Sequence, residues 1–378
     1  MRLPMNEAVT GLELSGIRRF TALARQTPGC VLLTLGEPEF QTPPSIKAEA
    51  MASLDKNETH YPPNNGEGYL LSALSQEAAA QNLSYSPEEI VVTCGATEAL
   101  FSTLTALLNP GDEVIVPTPA FGLYESIIRL ARGVFVPLDT REDRFQITRA
   151  ALERAASPRT KAIILTSPNN PTGCVYTPET LDQVAALARR TGLYAVCDDV
   201  YRQLVYTEAF PRFAVRHPEL REQIIVIDSF SKPYAMTGWR LGWLMADRPV
   251  KEQIQKVHQY AVVSVTSFTQ RACVAALKSD AAPMRESYRR RRDLVCRRLK
   301  DMGLETVRPE GAFYVFPSIA RYGMSSEEFC TQLIQKGGLG LVPGACFGAE
   351  GFVRLSYCYS EEELKEGLDR LERFLSTI

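Results

Sequence analysis

Four short apolar runs in this chain are each followed at once by side chains able to do chemistry. IIVID (224–228) leads into Ser229-Phe230-Ser231-Lys232 and, past Trp239, into Arg240. A lysine just beyond a buried strand can sit in a dry site, where its amine pKa falls and it becomes a nucleophile. A solvated surface lysine is the plainer reading of the same residue. Ser229 and Arg240 add a hydroxyl and a planar cation, which together suit a phosphate. LYAVC (193–197) leads into Asp198-Asp199-Val200-Tyr201. A carboxylate ending a fully apolar strand is costly unless it has a cationic partner or sits at the rim. Either Asp could instead cap a helix. AIILT (162–166) leads into Ser167-Pro168-Asn169-Asn170-Pro171-Thr172-Gly173, a stiff loop able to hold an Asn amide in one orientation. IVVT (90–93) leads into Cys94-Gly95-Ala96-Thr97. There a glycine permits close backbone approach, and the free N–H groups of an opening helix favour a phosphate. A plain tight turn would use the same glycine.

These pieces combine into a phosphate cradle (Gly95, Ala96, Thr97, Ser229, Arg240), an aldehyde-reactive amine (Lys232), a carboxylate (Asp198) and two hydrogen-bond donors (Asn170, Tyr201). Pyridoxal 5'-phosphate has matching needs: an anion site for its phosphate, a lysine for its aldehyde and an acidic partner for its pyridine nitrogen.

The strands and helices that carry these groups can be read from the apolar pattern. Besides the four runs, EVIVP (113–117) and VFVP (134–137) lack polar alternation, as strands covered on both faces do. Helical segments are expected at 96–108, at 122–132 and in TPETLDQVAALARR, where Leu181, Val184, Ala185 and Ala188 recur at helical spacing. Repeated strand–helix units predict an α/β fold with a mostly parallel, helix-covered central sheet, and ligands then bind beyond the carboxyl ends of its strands. The ends of the chain read differently. Residues 1–30 suggest an arm and a helix around 16–25. Beyond about 247 the chain is mostly helical, with a long helix over 283–302. GAFYVF (311–316), GLGLVP (338–343), FVRLSY (352–357) and a final helix complete a smaller α+β unit. The expected division is an arm and part of the small domain over 1–40, a large cofactor-binding domain over 41–270 and a small domain over 271–378.

The 378 residues carry 42 Lys plus Arg against 44 Asp plus Glu, a net charge of −2. Such a chain has no global field for nucleic acid or anionic lipid. The run Arg289 to Arg292, with Arg297 and Arg298, reads as a solvated helix face. No stretch reaches the roughly 18 apolar residues of a membrane span, and no secretory signal is visible at the N-terminus. Nine scattered cysteines without a C-x-x-C pair read as reduced thiols of a cytoplasmic protein. Three histidines make a metal site or a Ser-His-Asp triad a poor expectation.

In order along the chain, GEPEF, HYPPNNGEGYL, SPNNPTG, the Asp198-to-Tyr201 segment, SFSKPYAMTGWRLGW and FVRLS resemble the class I/II aminotransferases, fold type I enzymes dependent on pyridoxal phosphate. The resemblance runs from Gly36 to Arg354. It implies a three-layer fold with a largely seven-stranded sheet, and an amino group moved from an L-amino acid to a 2-oxo acid by a ping-pong, Schiff-base mechanism. By the same resemblance Lys232 bonds the cofactor aldehyde and moves the Cα proton. Asp198 pairs with the pyridine nitrogen, and Asn170 and Tyr201 bond the phenolic oxygen. Gly95, Ala96, Thr97, Ser229 and Arg240 hold the phosphate, and Phe121 stacks on the ring. Arg354 grips the substrate α-carboxylate, assisted by Gly36 and Asn170. Tyr61 reaches the phosphate of the neighbouring subunit, which requires a homodimer.

Read without the resemblance, a buried guanidinium in FVRLSY needs an anion, either a substrate or an Asp or Glu of the small domain. A β-carbon–sulfur lyase would begin from the same deprotonation. Ser229 to Lys232 also fits the S-x-x-K of penicillin-recognising hydrolases, but no S-D-N or K-T-G accompanies it. The amino donor stays open. His60, Phe40 and Tyr357 could line an aromatic-tolerant pocket or merely pack.

Overall fold

The computed structural model describes residues 3–208 and 210–378. Its twelve strands are β1 (Val31–Leu32), β2 (Ile90–Thr93), β3 (Glu113–Thr118), β4 (Val134–Asp139), β5 (Thr160–Thr166), β6 (Tyr194–Asp198), β7 (Ile224–Ser229), β8 (Gly242–Ala246), β9 (Tyr314–Val315), β10 (Leu339–Gly340), β11 (Val342–Pro343) and β12 (Val353–Ser356). Seven of them form one sheet in the order β2-β8-β7-β6-β5-β3-β4. The pairs β3–β4, β3–β5, β5–β6 and β6–β7 are parallel. Only β8 runs against its neighbours β2 and β7. The predicted α/β class with a mostly parallel central sheet is the observed one.

Every residue of β2, β3, β7 and β8 is buried, as expected of strands covered on both faces. The edge strand β4 departs from that expectation, with Val134 43 % exposed. The apolar runs predicted β2 to β7 and passed over β8, whose first two residues, Gly242 and Trp243, end the segment read for its chemistry. Several helices, Arg149–Ala155 among them, were also passed over. Pro44–Asp55 and Gly68–Ala80 pack with Ser267–Leu277 on one face of the sheet, burying Ile46, Leu70, Leu74 and Cys273. Crossover helices follow local rules. Pro178–Thr191 is capped by Thr177, whose side chain accepts from the Thr180 amide, and it ends at Gly192 with φ +75°.

A second cluster joins the two ends of the chain. β11, β12 and β9 form an antiparallel sheet in that order, and β1 pairs in parallel with β10. Phe20 and Ala24, from the helix Gly16–Gln26, bury with Leu33 against Phe313, Leu355, Leu364, Leu368 and Leu371. The helix expected at 283–302 is Ala282–Asp301. Among the described residues no helix is long and apolar enough to cross a membrane.

Candidate active site

The carboxyl ends of the parallel strands open into a cavity of about 900 Å³. Its floor begins where β2 turns into the helix Ala96–Leu107. Gly95 takes φ +77° there, and a Cβ on it would lie 2.7 Å from Arg240 Nη2. β8 pairs Gly242 with Thr93, and a Cβ on Gly242 would meet the Ala96 nitrogen at 2.7 Å. Two glycines therefore let the start of the helix and the Arg240 turn share one space. Among the described residues Arg240 bonds only backbone carbonyls, those of Thr237 at 3.1 Å and Cys94 at 3.4 Å. Ser229 closes β7; its hydroxyl donates to Leu241 O at 3.3 Å and accepts from the Ser231 amide at 2.9 Å. Ala96, Thr97, Ser229 and Arg240 all line the cavity, so a polyanion would meet N–H groups, a hydroxyl and a guanidinium without a carboxylate partner.

Lys232 stands three residues beyond β7. Its Nζ donates to Gly36 O at 2.7 Å. Burial pulls its amine from 10.5 down to about 8, helped by the charges of Arg354 and Arg240 and opposed by those of Cys358 and Glu37. Gly36 has no room for a side chain, because a Cβ would fall 1.7 Å from the Tyr314 hydroxyl. Asp198 is the last residue of β6 and is buried. Burial raises its carboxyl to about 6, against the hydrogen bonds it accepts from Tyr124 at 2.6 Å and from the Val200 amide at 3.4 Å. Its neighbour Asp199 points elsewhere, accepting from Arg212 at 2.8 Å. Neither Asp caps a helix through its side chain.

Arg354 comes from the middle of β12 and is 2 % exposed. Nη1 donates to Asn170 Oδ1 at 2.9 Å, Nη2 donates to Thr34 O, and Nε has no partner among the described residues. The guanidinium carbon lies 4.6 Å from the Tyr314 ring centre and 4.9 Å from that of Phe347. Among the described residues no carboxylate stands within ion-pairing distance of it, so the salt-bridge alternative finds no partner. Asn170 turns its carbonyl end to Arg354, which leaves its NH₂ end for a ligand. Asn169 serves the loop instead, accepting from the Thr172 amide and hydroxyl. The Tyr201 hydroxyl shares a 2.9 Å hydrogen bond with that of Tyr314. Burial pushes both phenols up, Tyr314 to about 12, so both are neutral donors.

Of the residues singled out in the sequence, Gly36, Ala96, Thr97, Phe121, Asn170, Asp198, Tyr201, Ser229, Lys232, Arg240 and Arg354 all line the one cavity, and Gly95 shapes its floor. Tyr61 does not; it is 89 % exposed. Phe40 packs edge-on against Tyr288, and Tyr357 is fully buried; neither lines the cavity, nor does His60. Sequence reasoning missed Tyr124 and Tyr314. Tyr124 had a signal, since it stands one helical turn past Phe121, and the two rings meet edge-on at 6.2 Å. Tyr314 had none beyond its place in GAFYVF.

With this geometry in hand, comparison with known proteins is informative. The pattern of the family described as "Aminotransferase class I and II" matches residues 28–371. A Bacillus subtilis protein named "Probable N-acetyl-LL-diaminopimelate aminotransferase" is 41% identical over 378 residues, covering 98% of this chain and 95% of that protein. An aspartate aminotransferase of Pyrococcus abyssi is 37% identical over 99% of this chain and 98% of its own. The solved aspartate aminotransferase of Thermus thermophilus with maleate superposes with a TM-score of 0.93 at 36% identity, covering 99% of this chain and 100% of that one.

Proposed function

The chain belongs to the class I and II aminotransferases, and we propose that it performs amino transfer with pyridoxal 5'-phosphate held at Lys232. It is a transferase acting between amino acids and 2-oxo acids. The observation that carries the assignment of its site is Arg354: a buried guanidinium without an acidic partner among the described residues, in the same cavity as a lysine whose amine sits near 8. A fold keeps such an uncompensated cation where a ligand supplies the anion.

The residues present fit the cofactor. The Gly95 and Gly242 approaches leave space against Ala96 and Thr97 for a phosphate, and Arg240 there lacks a carboxylate. When bound, pyridoxal 5'-phosphate supplies an aldehyde and a protonatable ring that accepts an electron pair. Phe121 offers an aromatic face for that ring, and Asn170 and Tyr201 offer donors. The Asp198 carboxylate, oriented by Tyr124, favours a proton on a nitrogen placed against it. Arg354 fixes the substrate α-carboxylate through two parallel hydrogen bonds, and Asn170 and the Thr34 carbonyl hold the guanidinium in plane. Lys232, uncharged above about pH 8, takes the Cα proton at Nζ and returns it, with the Gly36 carbonyl orienting the amine.

A homodimer fits the same reading. Tyr61 and Tyr260 are 89 % and 88 % exposed, and Tyr61 would serve the phosphate site of the second copy. The division at about residues 40 and 270 is proposed with it; the separate cores of the large sheet and of the joined chain ends support two domains, with the second boundary better drawn past the helix Ser267–Leu277, whose Ala272, Cys273 and Ala276 bury with the large sheet. The cytoplasm suits nine cysteines that are all free. Borohydride reduction of the yellow holoenzyme tests the assignment. It should fix the cofactor to the peptide holding residue 232, and labelling of another lysine would overturn it.

A further inference from the structure

Tyr314 opens β9, the strand that pairs antiparallel with β12. The register sets Tyr314 opposite Ser356, so Arg354, two residues along β12, lies on the same face and within diagonal reach of the ring. The Tyr314 ring centre stands 4.6 Å from the Arg354 guanidinium carbon. The Tyr314 hydroxyl shares its 2.9 Å hydrogen bond with that of Tyr201, and the two rings meet edge-on at 5.8 Å. The same hydroxyl fills the space where a side chain on Gly36 would go, and the Gly36 carbonyl holds Lys232 Nζ at 2.7 Å. One buried side chain thus touches the carboxylate clamp, a donor for the cofactor's phenolic oxygen and the residue that orients the amine.

Each phenol brings one proton. Among the described residues neither hydroxyl has a hydrogen-bond partner besides the other. If Tyr201 gave its proton to Tyr314, it would meet an oxyanion in the cavity with lone pairs only, and the Tyr314 proton would go unused. With Tyr314 as the donor, Tyr201 accepts one bond and turns its own proton to the ligand. A hydroxyl that accepts while it donates is polarised and donates more strongly. The ring has a separate effect. Arg354 has no acidic partner among the described residues, and an aromatic face stabilises a desolvated cation. Phe347 covers the guanidinium too, at 4.9 Å, but carries no hydroxyl.

We propose that Tyr314 is a positioning residue with two parts: its hydroxyl donates to Tyr201 and so aims the Tyr201 proton at the cofactor's phenolic oxygen, and its ring seats Arg354 for the substrate α-carboxylate. The inference rests on the reading of Lys232, Tyr201 and Arg354 given above and adds the residue that joins them. A fixed donor stabilises negative charge on the phenolic oxygen, which weakens that oxygen's hold on a proton carried by a neighbouring nitrogen. Loss of the Tyr314 hydroxyl should therefore raise the pH at which the Lys232 nitrogen, joined to the cofactor, gives up its proton.

Y314F keeps the ring and removes the hydroxyl; Y314L removes both. Each protein, loaded with pyridoxal 5'-phosphate, is titrated with pH while its visible absorbance is read, and its affinity for 3-phenylpropionate is measured by calorimetry. Asp198, Glu37, Cys358, Arg354 and Arg240, the groups that act on the Lys232 amine, are unchanged in both variants. In Y314F the absorbance midpoint should rise by about half a pH unit. Its affinity for 3-phenylpropionate should stay within about twofold of the parent's, because the ring over Arg354 remains. Y314L should show the same rise and bind 3-phenylpropionate about tenfold more weakly. If Y314L does not fold, Y314M, an unbranched filler, takes its place. An unmoved midpoint in Y314F, or parent-like 3-phenylpropionate binding once the ring is gone, would overturn the proposal. A parent that shows no lysine-bound absorbance fails the cofactor reading instead; the hydroxyl part falls with it, and calorimetry on the cofactor-free proteins decides the ring part.

Discussion

Arg202 and Arg354 are both buried arginines of this chain, and they are treated in opposite ways. Arg202 spends its guanidinium inside the fold: it is paired with Asp228 and Glu77 and donates to Gln81 at 2.9 Å. Arg354 is more deeply buried but meets an amide, a backbone carbonyl and two aromatic faces, with Nε unpartnered among the described residues. The same contrast divides two neighbours in the sequence. Asp199 is neutralised by Arg212, which also donates to Gln81 at 2.7 Å, whereas Asp198 faces the cavity with only a tyrosine and an amide. One set of buried charges is closed and belongs to the scaffold. The other is left open, and its missing counter-charges describe a ligand: an anion at Arg354 and a cation at Asp198.

The sharpest way to break that comparison is at Lys232. Lys232→Ala should lower amino transfer by about 10⁴-fold or more while leaving the thermal midpoint near the parent value, because the amine belongs to the open set. Retention of more than a hundredth of the rate would remove Lys232 from the chemistry. Arg202→Met tests the closed set. It leaves Asp228 and Glu77 buried without their cation and should destabilise the chain by about 3–5 kcal/mol in denaturant titration. A Met variant as stable as the parent would show that the network contributes no stability. Arg354→Lys should do the reverse. Lysine cannot reproduce the fork, so kcat/KM should fall by the order of 2–5 kcal/mol for every donor and acceptor alike. The unfolding midpoint should barely move. A variant that unfolds easily yet keeps its kcat/KM would place Arg354 in the scaffold.

Much of the open set was legible because strand ends are marked twice, by an apolar run and by the polar residues after it. IIVID then SFSK placed Lys232, and LYAVC then DDVY placed Asp198. What was illegible is instructive. The sequence offers Asp198 and Asp199 as equals; only the alternation carried past the end of β6 turns one to the cavity and the other to Arg212. β8 escaped notice because a strand that begins at a glycine and follows a functional loop carries few apolar residues before its core. Tyr314 and the helix Gly16–Gln26 come from the two chain ends, which meet through packing and the short β1–β10 ladder. No local pattern announces such contacts, because they depend on where a distant helix lands.

Asp198→Asn yields the smallest effect on stability and the most discriminating one, since its two readouts should move in opposite directions. Asp198 ionises at about 6 in the folded chain against an ordinary 3.8. Between those values the folded state holds a proton that the unfolded state has lost, so stability falls as pH rises through that window. Above about 6 both states are ionised, and the full cost of the buried carboxylate is present, about 2–3 kcal/mol. An amide carries no such cost. In protein freed of cofactor, Asp198→Asn should therefore be more stable than the parent at pH 7.5, by up to that amount. The gain should shrink from pH 6 downward and vanish below about pH 4. The loss of one acceptor, toward either Tyr124 or the Val200 amide, takes back part of the gain. Amino transfer should fall steeply, because a neutral amide cannot favour a proton on the cofactor nitrogen. Asp199→Asn should show the other signature, a destabilised chain with Arg212 left unpaired. If Asp198→Asn proves less stable than the parent at pH 7.5 and keeps its turnover, Asp198 belongs with Asp199 in the closed set, and the counter-charge for the cofactor nitrogen must come from another residue.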